Sequence, residues 1–133
     1  MVRKSVLLSA VFIMGLQNLL AETLTVKVEN ADPGKGYNIL IGLSDKEEGY
    51  PDKSFTWQTV PVTEKTVTIV FKDLPKGAYA VSLYQDTNGN EKLDKNVLGI
   101  PKEKYGFSNN TTFPNYKKNL VEVQNDTAIT IKL

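Results

Sequence analysis

From Leu24 onward, apolar residues recur at every second position rather than every third or fourth. Leu24, Val26 and Val28 alternate with Thr25 and Lys27, and Tyr37, Ile39, Ile41 and Leu43 share one face of a second run. Phe55, Trp57 and Thr59 alternate with Thr56 and Gln58. Val67, Ile69 and Phe71 alternate with Thr68 and Val70, and Tyr79, Val81 and Leu83 alternate with Ala80, Ser82 and Tyr84. Val121 and Val123 form a short run, and Ile129, Ile131 and Leu133 close the chain. A period of two lines one face of a pleated strand, so seven strands are expected, each with its apolar set turned inward. On that basis Trp57 is expected in the core.

Turn residues separate these runs: Asp32-Pro33-Gly34, Glu48-Gly49-Tyr50-Pro51-Asp52, Leu74-Pro75-Lys76-Gly77 and Asn125-Asp126. Short alternating runs with Gly and Pro between them predict an all-β fold. The expected architecture is an antiparallel, immunoglobulin-like sandwich of about seven strands in a single domain over residues 22–133.

Two stretches depart from this rhythm. Residues 1–21 have the order of a signal peptide: basic Arg3 and Lys4, an apolar run from Val6 to Leu16, and small Ala21 at the expected cut. An exported protein, periplasmic or extracellular, is expected, with no stable membrane anchor after cleavage. The second stretch, Asp86 to Asn119, has little strand signal and is rich in Asn, Asp, Lys and Gly. So long an irregular loop in a small domain is usually functional or held by something specific, which makes residues 86–119 the place to look for a site.

Composition narrows the chemistry. The chain has no His and no Cys. Ser-His-Asp and Cys-His catalysis, and zinc sites built on those ligands, are therefore excluded. The formal charge is +1, and two of the basic residues lie in the leader. The remaining domain is close to neutral and gives no electrostatic case for nucleic acid.

At the start of the irregular stretch the chain reads Asp86-Thr87-Asn88-Gly89-Asn90-Glu91-Lys92-Leu93-Asp94. Oxygen-bearing side chains at alternating positions of a tight loop can aim at one centre. Asp86, Asn88, Asn90 and Asp94 match the first, third, fifth and ninth positions of a calcium loop, with the Lys92 carbonyl at the seventh. These five residues are the candidate ligands for a Ca²⁺ ion. Two positions differ from that pattern: Glu91 stands where a sharp turn favours Gly, and Val97 stands where a bidentate Glu would close the shell. Glu91 or Glu103 is available as a substitute carboxylate. The alternative is a plain solvated turn, since Asn-Gly is a strong turn pair and Asx side chains bond their own backbone.

The residues beyond this loop carry a resemblance. Gly77 to Tyr79, the Asp86 to Asp94 loop, and Leu98-Gly99-Ile100-Pro101 running on to Tyr105-Gly106-Phe107-Ser108-Asn109-Asn110 are together similar to the DUF2141 family, small exported bacterial proteins built on a β domain. The resemblance implies a β-sandwich and export but no reaction. Gln85 stands where that family often has His, and Glu91 where it usually has Gly. The run from Phe71 to Asp86 also looks like the prealbumin-like modules of bacterial surface proteins, a likeness of fold that carries no function.

Tyr105 and Phe107 offer a stacking surface, with Asn109 and Asn110 as amide partners for a sugar or peptide. The competing expectation is that both rings tuck beneath the loop while the amides cap backbone groups. Three functions follow in order of expectation. The first is a non-catalytic exported module, steadied by Ca²⁺, that meets a protein or glycan through residues 86–119. The second is a periplasmic or cell-surface assembly subunit. The third is a carboxylate hydrolase drawing on Asp86, Glu91, Asp94 and Glu103.

Overall fold

The computed structural model describes residues 21–99 and 101–133, so the expected signal peptide lies almost wholly outside the described residues. The strands are β1 (Glu22–Glu29), β2 (Asn38–Ser44), β3 (Thr56–Pro61), β4 (Val67–Leu74), β5 (Gly77–Asp86), β6 (Tyr105–Phe107), β7 (Leu120–Val123) and β8 (Thr127–Lys132). A 3-10 turn, Ser108–Asn110, and a four-residue helix, α1 (Tyr116–Asn119), lie between β6 and β7. The first strand begins one residue beyond the expected cut at Ala21.

The strands form two sheets. One has the order β4-β1-β8. The other runs β3-β2-β5-β6, with β7 also pairing β5. The outer edge of the long strand β5 is thus shared: Gly77–Ala80 pairs with β7 and Ser82–Tyr84 with β6. Leu24, Val26 and Val28 from the first sheet and Ile39, Ile41 and Leu43 from the second belong to one buried cluster. Each of these six side chains is at most 1 % exposed, and full burial of such a side chain is worth about 1.5–3 kcal/mol. The expected all-β, two-sheet fold is therefore present, and its core is built from the alternating positions of the sequence.

Three features differ from the sequence expectation. Among the described residues there are eight strands rather than seven, because β6 lies inside the stretch expected to be irregular. Three residues are too few to show a period. Gly106 at its centre has room only for hydrogen, since a Cβ there would come within 2.8 Å of Ile131 Cγ2. That glycine lets β6 lie flush against β8.

The sheets are also not wholly antiparallel. β1 pairs with β4 antiparallel but with β8 parallel, Val26 facing Ile129 and Val28 facing Ile131. Side-chain alternation says which face a residue occupies and nothing about strand direction. The partners here lie at opposite ends of the chain, where a crossover between sheets supplies the parallel return.

Trp57 is not in the core: it is 59 % exposed and Phe55 is 49 % exposed. On β3 the inward positions belong instead to Thr56, Gln58 and Val60. Val60 packs on the core, and the Gln58 amide crosses to the other sheet to donate to the Val70 carbonyl at 2.8 Å. Both faces of this edge strand carry an apolar residue, so the period alone did not identify the inner one.

Candidate functional site

β5 ends at Asp86, whose side chain organises the loop that follows. One carboxylate oxygen accepts from the Asn88 and Gly89 amides at 3.3 and 3.0 Å, and the other from the Glu91 amide at 2.7 Å. Asn88 and Asn90 then each form an Asx turn, accepting from Asn90 N and Lys92 N at 3.2 and 3.0 Å. Their amide nitrogens converge on the two oxygens of Asp94, at 2.5 and 2.7 Å. Asp86, Asn88, Asn90 and Asp94 are thus gathered in one turn, as the spacing implied, with Lys92 inside it.

Glu103, held in reserve by the sequence reading as a substitute carboxylate, closes the loop from outside. Its carboxylate accepts from Thr87 N at 2.7 Å and from Asp94 N at 3.0 Å, pinning both ends of the turn. The hydrogen bond from Asn90 foremost, with a further one from Asn88, holds the Asp94 carboxyl below its ordinary value of 3.8 against an opposing loss of solvation. Because its folded value is depressed, the contribution of ionised Asp94 to loop order is complete above about pH 4 and is lost as pH falls through the lower folded value.

Among the described residues no three His, Cys, Asp or Glu side chains gather as a metal cluster. A cation in this loop would therefore depend on amide and carbonyl oxygens as well as carboxylates, a donor set that suits a hard ion such as Ca²⁺. In the structure the Asn88 and Asn90 oxygens accept backbone amides and their nitrogens donate to Asp94, so taking up an ion would draw both amides out of these bonds.

Glu91 has a φ of +58°, in the left-handed region. Among the described residues the other non-glycine positions with positive φ are Asn30, Asp73, Asn109 and Asn110, all of the Asx type that tolerates it. Glu91 lacks that tolerance. Glu91→Gly is expected to raise the unfolding free energy by about 0.5–1 kcal/mol, the relief of left-handed strain exceeding the entropy that Gly loses on folding. A denaturant titration showing equal or lower stability for the variant would contradict this.

The second half of the 86–119 stretch is bound to the sandwich by side chains. Ser108, fully buried, accepts from Val81 N at 2.9 Å, and its hydroxyl donates to the Asn119 carbonyl. The Asn109 amide donates to the Lys118 and Leu120 carbonyls at 2.8 and 3.1 Å. Asn110 accepts from Lys132 N at 2.9 Å and donates to Thr130 O at 3.2 Å. The amides of Asn109 and Asn110, candidate ligand contacts in the sequence, are thus engaged with backbone. Phe107 is 6 % exposed and packs edge-on to Tyr105, with ring centroids 5.7 Å apart.

A surface feature that the sequence did not disclose adjoins this region. An open groove of about 840 Å³ runs over the outer face of the β3-β2-β5-β6 sheet. Tyr105 and Phe107 line it from β6, Tyr84 from β5 and Trp57 from β3, while Glu91, Lys92 and Leu93 of the Asx loop form part of its wall. The Tyr84 hydroxyl donates to the Glu91 carbonyl at 2.6 Å, tying the groove to the loop. Burial and the nearby carboxylates, Asp86 foremost, push that hydroxyl above its ordinary pKa, so it remains a donor. Misplacing Trp57 in the core is what hid the groove. The usable signal was Gly42, which faces Trp57 in the register and has no side chain to fill the surface.

Fold and loop together define a two-sheet β protein with an Asx-rich turn at one end of its central strand. The profile of the family described as "Uncharacterized protein conserved in bacteria (DUF2141)" matches residues 26–131, and the chain belongs to that family. No curated protein and no solved structure matches it. Among the described residues no helix is long and apolar enough to cross a membrane.

Proposed function

We propose that the protein is an exported, non-catalytic binding module whose 86–94 loop takes Ca²⁺ and whose 86–119 segment helps form the face that meets a protein or glycan. The observation that carries the calcium reading is the approach of the Asn88 and Asn90 amides to the same Asp94 carboxylate, in a turn rooted at Asp86. Export is supported by the order of charge, apolar run and small residue over positions 1–21. A non-catalytic role is supported by the state of the carboxylates. Asp94 is held ionised rather than poised as an acid, and both oxygens of Asp86 and of Glu103 accept backbone amides.

The test is a thermal melt of the purified protein in millimolar CaCl₂ and in chelator. Extracellular-type sites bind calcium at about 10⁻⁴–10⁻³ M, so a stabilisation of about 1 kcal/mol is expected, roughly 5 °C. Asp94→Asn should abolish the shift while leaving the chelated melt within a few degrees. A melting temperature indifferent to calcium would remove the ion from the reading.

A further inference from the structure

We propose that the groove over the outer face of the β3-β2-β5-β6 sheet is a binding site for an acidic, uronate-type oligosaccharide. The proposal rests on the binding half of the function above and is independent of calcium.

The first observation is the arrangement of rings. Trp57 lies on β3, Tyr84 on β5 and Tyr105 on β6, and all three line the groove. Tyr84 and Tyr105 are register partners, and Trp57 faces Gly42, which in turn faces Ser82. The span from β3 to β6 is three inter-strand spacings, about 14 Å. Between the rings the Ser54 side chain lies over Gly42, and a Cβ there would stand 2.2 Å from Ser54 Oγ, so glycine is what admits that hydroxyl to the floor. A polar floor between separated aromatic faces suits pyranose rings, whose apolar C–H faces stack on aromatic π faces and whose hydroxyls need partners. A volume of about 840 Å³ is in the range of small-ligand sites.

The second observation is polar reach at the surface. Among the described residues neither the exposed Trp57 indole N–H nor the Tyr105 hydroxyl bonds another protein group, so both stay open to a ligand. A core tryptophan would not be left so, and a sugar hydroxyl would meet both groups.

The third is charge. Lys53, Lys92 and Lys95 line the groove, and the ion pairs among the described residues engage Lys27, Lys76 and Lys104 instead. The groove's carboxylates are Asp52 and Glu91. Three lysines against two carboxylates leave the lining with a net positive charge, which complements a glycan bearing carboxylates better than a neutral one, and ionic strength should weaken the complex.

Trp57 is the only tryptophan in the chain, so its fluorescence reports occupancy directly. The experiment titrates the purified protein with hyaluronan and oligogalacturonate hexasaccharides, with cellohexaose as the neutral comparison. All titrations are run in chelator, so that failure of the calcium reading leaves the result untouched. At least one acidic hexasaccharide is expected to change the Trp57 emission and to bind at least tenfold more tightly than cellohexaose. By calorimetry, Trp57→Ala and a combined Lys53→Gln, Lys92→Gln, Lys95→Gln variant should each weaken binding about tenfold. Phe113→Ala, an exposed ring outside the groove, should have no effect. The proposal is overturned by no binding of either acidic hexasaccharide, by equal affinity for cellohexaose, or by an affinity that Trp57→Ala leaves unchanged. It is equally overturned by a groove that takes an extended peptide and no glycan.

Discussion

Asn119→Ala is expected to be the most damaging single substitution in the described chain outside the apolar core, lowering the unfolding free energy by about 3 kcal/mol and the melting temperature by roughly 10–15 °C. Asn119 is fully buried, yet every donor and acceptor of its amide is matched. Its oxygen accepts from the Tyr50 hydroxyl at 2.8 Å and from Asn115 N at 2.9 Å. Its nitrogen donates to Ser108 O at 2.8 Å and to Thr111 Oγ1 at 2.7 Å. Truncation leaves the Tyr50 hydroxyl, Asn115 N and the Ser108 carbonyl without these partners, while the Thr111 hydroxyl keeps its bond to Phe113 O.

Burial holds the Tyr50 hydroxyl far above its ordinary pKa, so no accessible alkaline pH ionises it and relieves the loss. The effect should be local as well as large. Hydrogen exchange should accelerate over 105–120 before it does in β1 or β2. A chemical denaturation that moves by less than 1 kcal/mol would show that the amide is not the clasp it looks to be.

Gln85 is the second such position, at the point where β5 meets the Asx loop. It is 1 % exposed, and its amide grips the backbone of Asp32 at both ends, the oxygen accepting from Asp32 N at 2.9 Å and the nitrogen donating to Asp32 O. Gln85→Leu keeps most of the volume and removes both bonds, so a loss of about 2–3 kcal/mol is expected. Gln85→His should do less harm at pH 8, because a neutral imidazole also offers one donor and one acceptor.

That variant carries a pH signature. Protonation would destroy the acceptor, so the folded-state imidazole pKa would lie below the unfolded value of about 6.5. Stability would then be retained above that value and lost as pH falls through it. A Gln85→Leu protein as stable as the parent, or a Gln85→His protein with no pH dependence between 5 and 8, would mean that the strap to Asp32 does not bear on stability.

Asn119 and Gln85 show why part of the site was legible in the sequence and part was not. Asp86, Asn88, Asn90 and Asp94 act within nine residues of one another, and their partners are the amides of the same turn. Local spacing was enough to bring them together. Asn119 reaches Tyr50 across 69 positions, and Gln85 reaches Asp32 across 53. No pattern in a window reveals such partners, and a buried Asn reads in sequence as one more polar loop residue. Asn109 and Asn110 belong with them. As sequence they suit a ligand, but in the fold they occupy left-handed backbone and bond the carbonyls and amides of residues 118–132.

The sequence by itself determined the all-β class, the inward faces of β1, β2, β4, β5, β7 and β8, and the gathering of the Asx turn, because side-chain period and short-range hydrogen bonds are properties of a local window. Only the tertiary structure decided that β8 runs parallel to β1, that β3 turns Trp57 outward, and that Tyr84, Tyr105 and Trp57 share one groove. Those outcomes depend on which strands become neighbours, and that choice is made by burying a single core between two sheets.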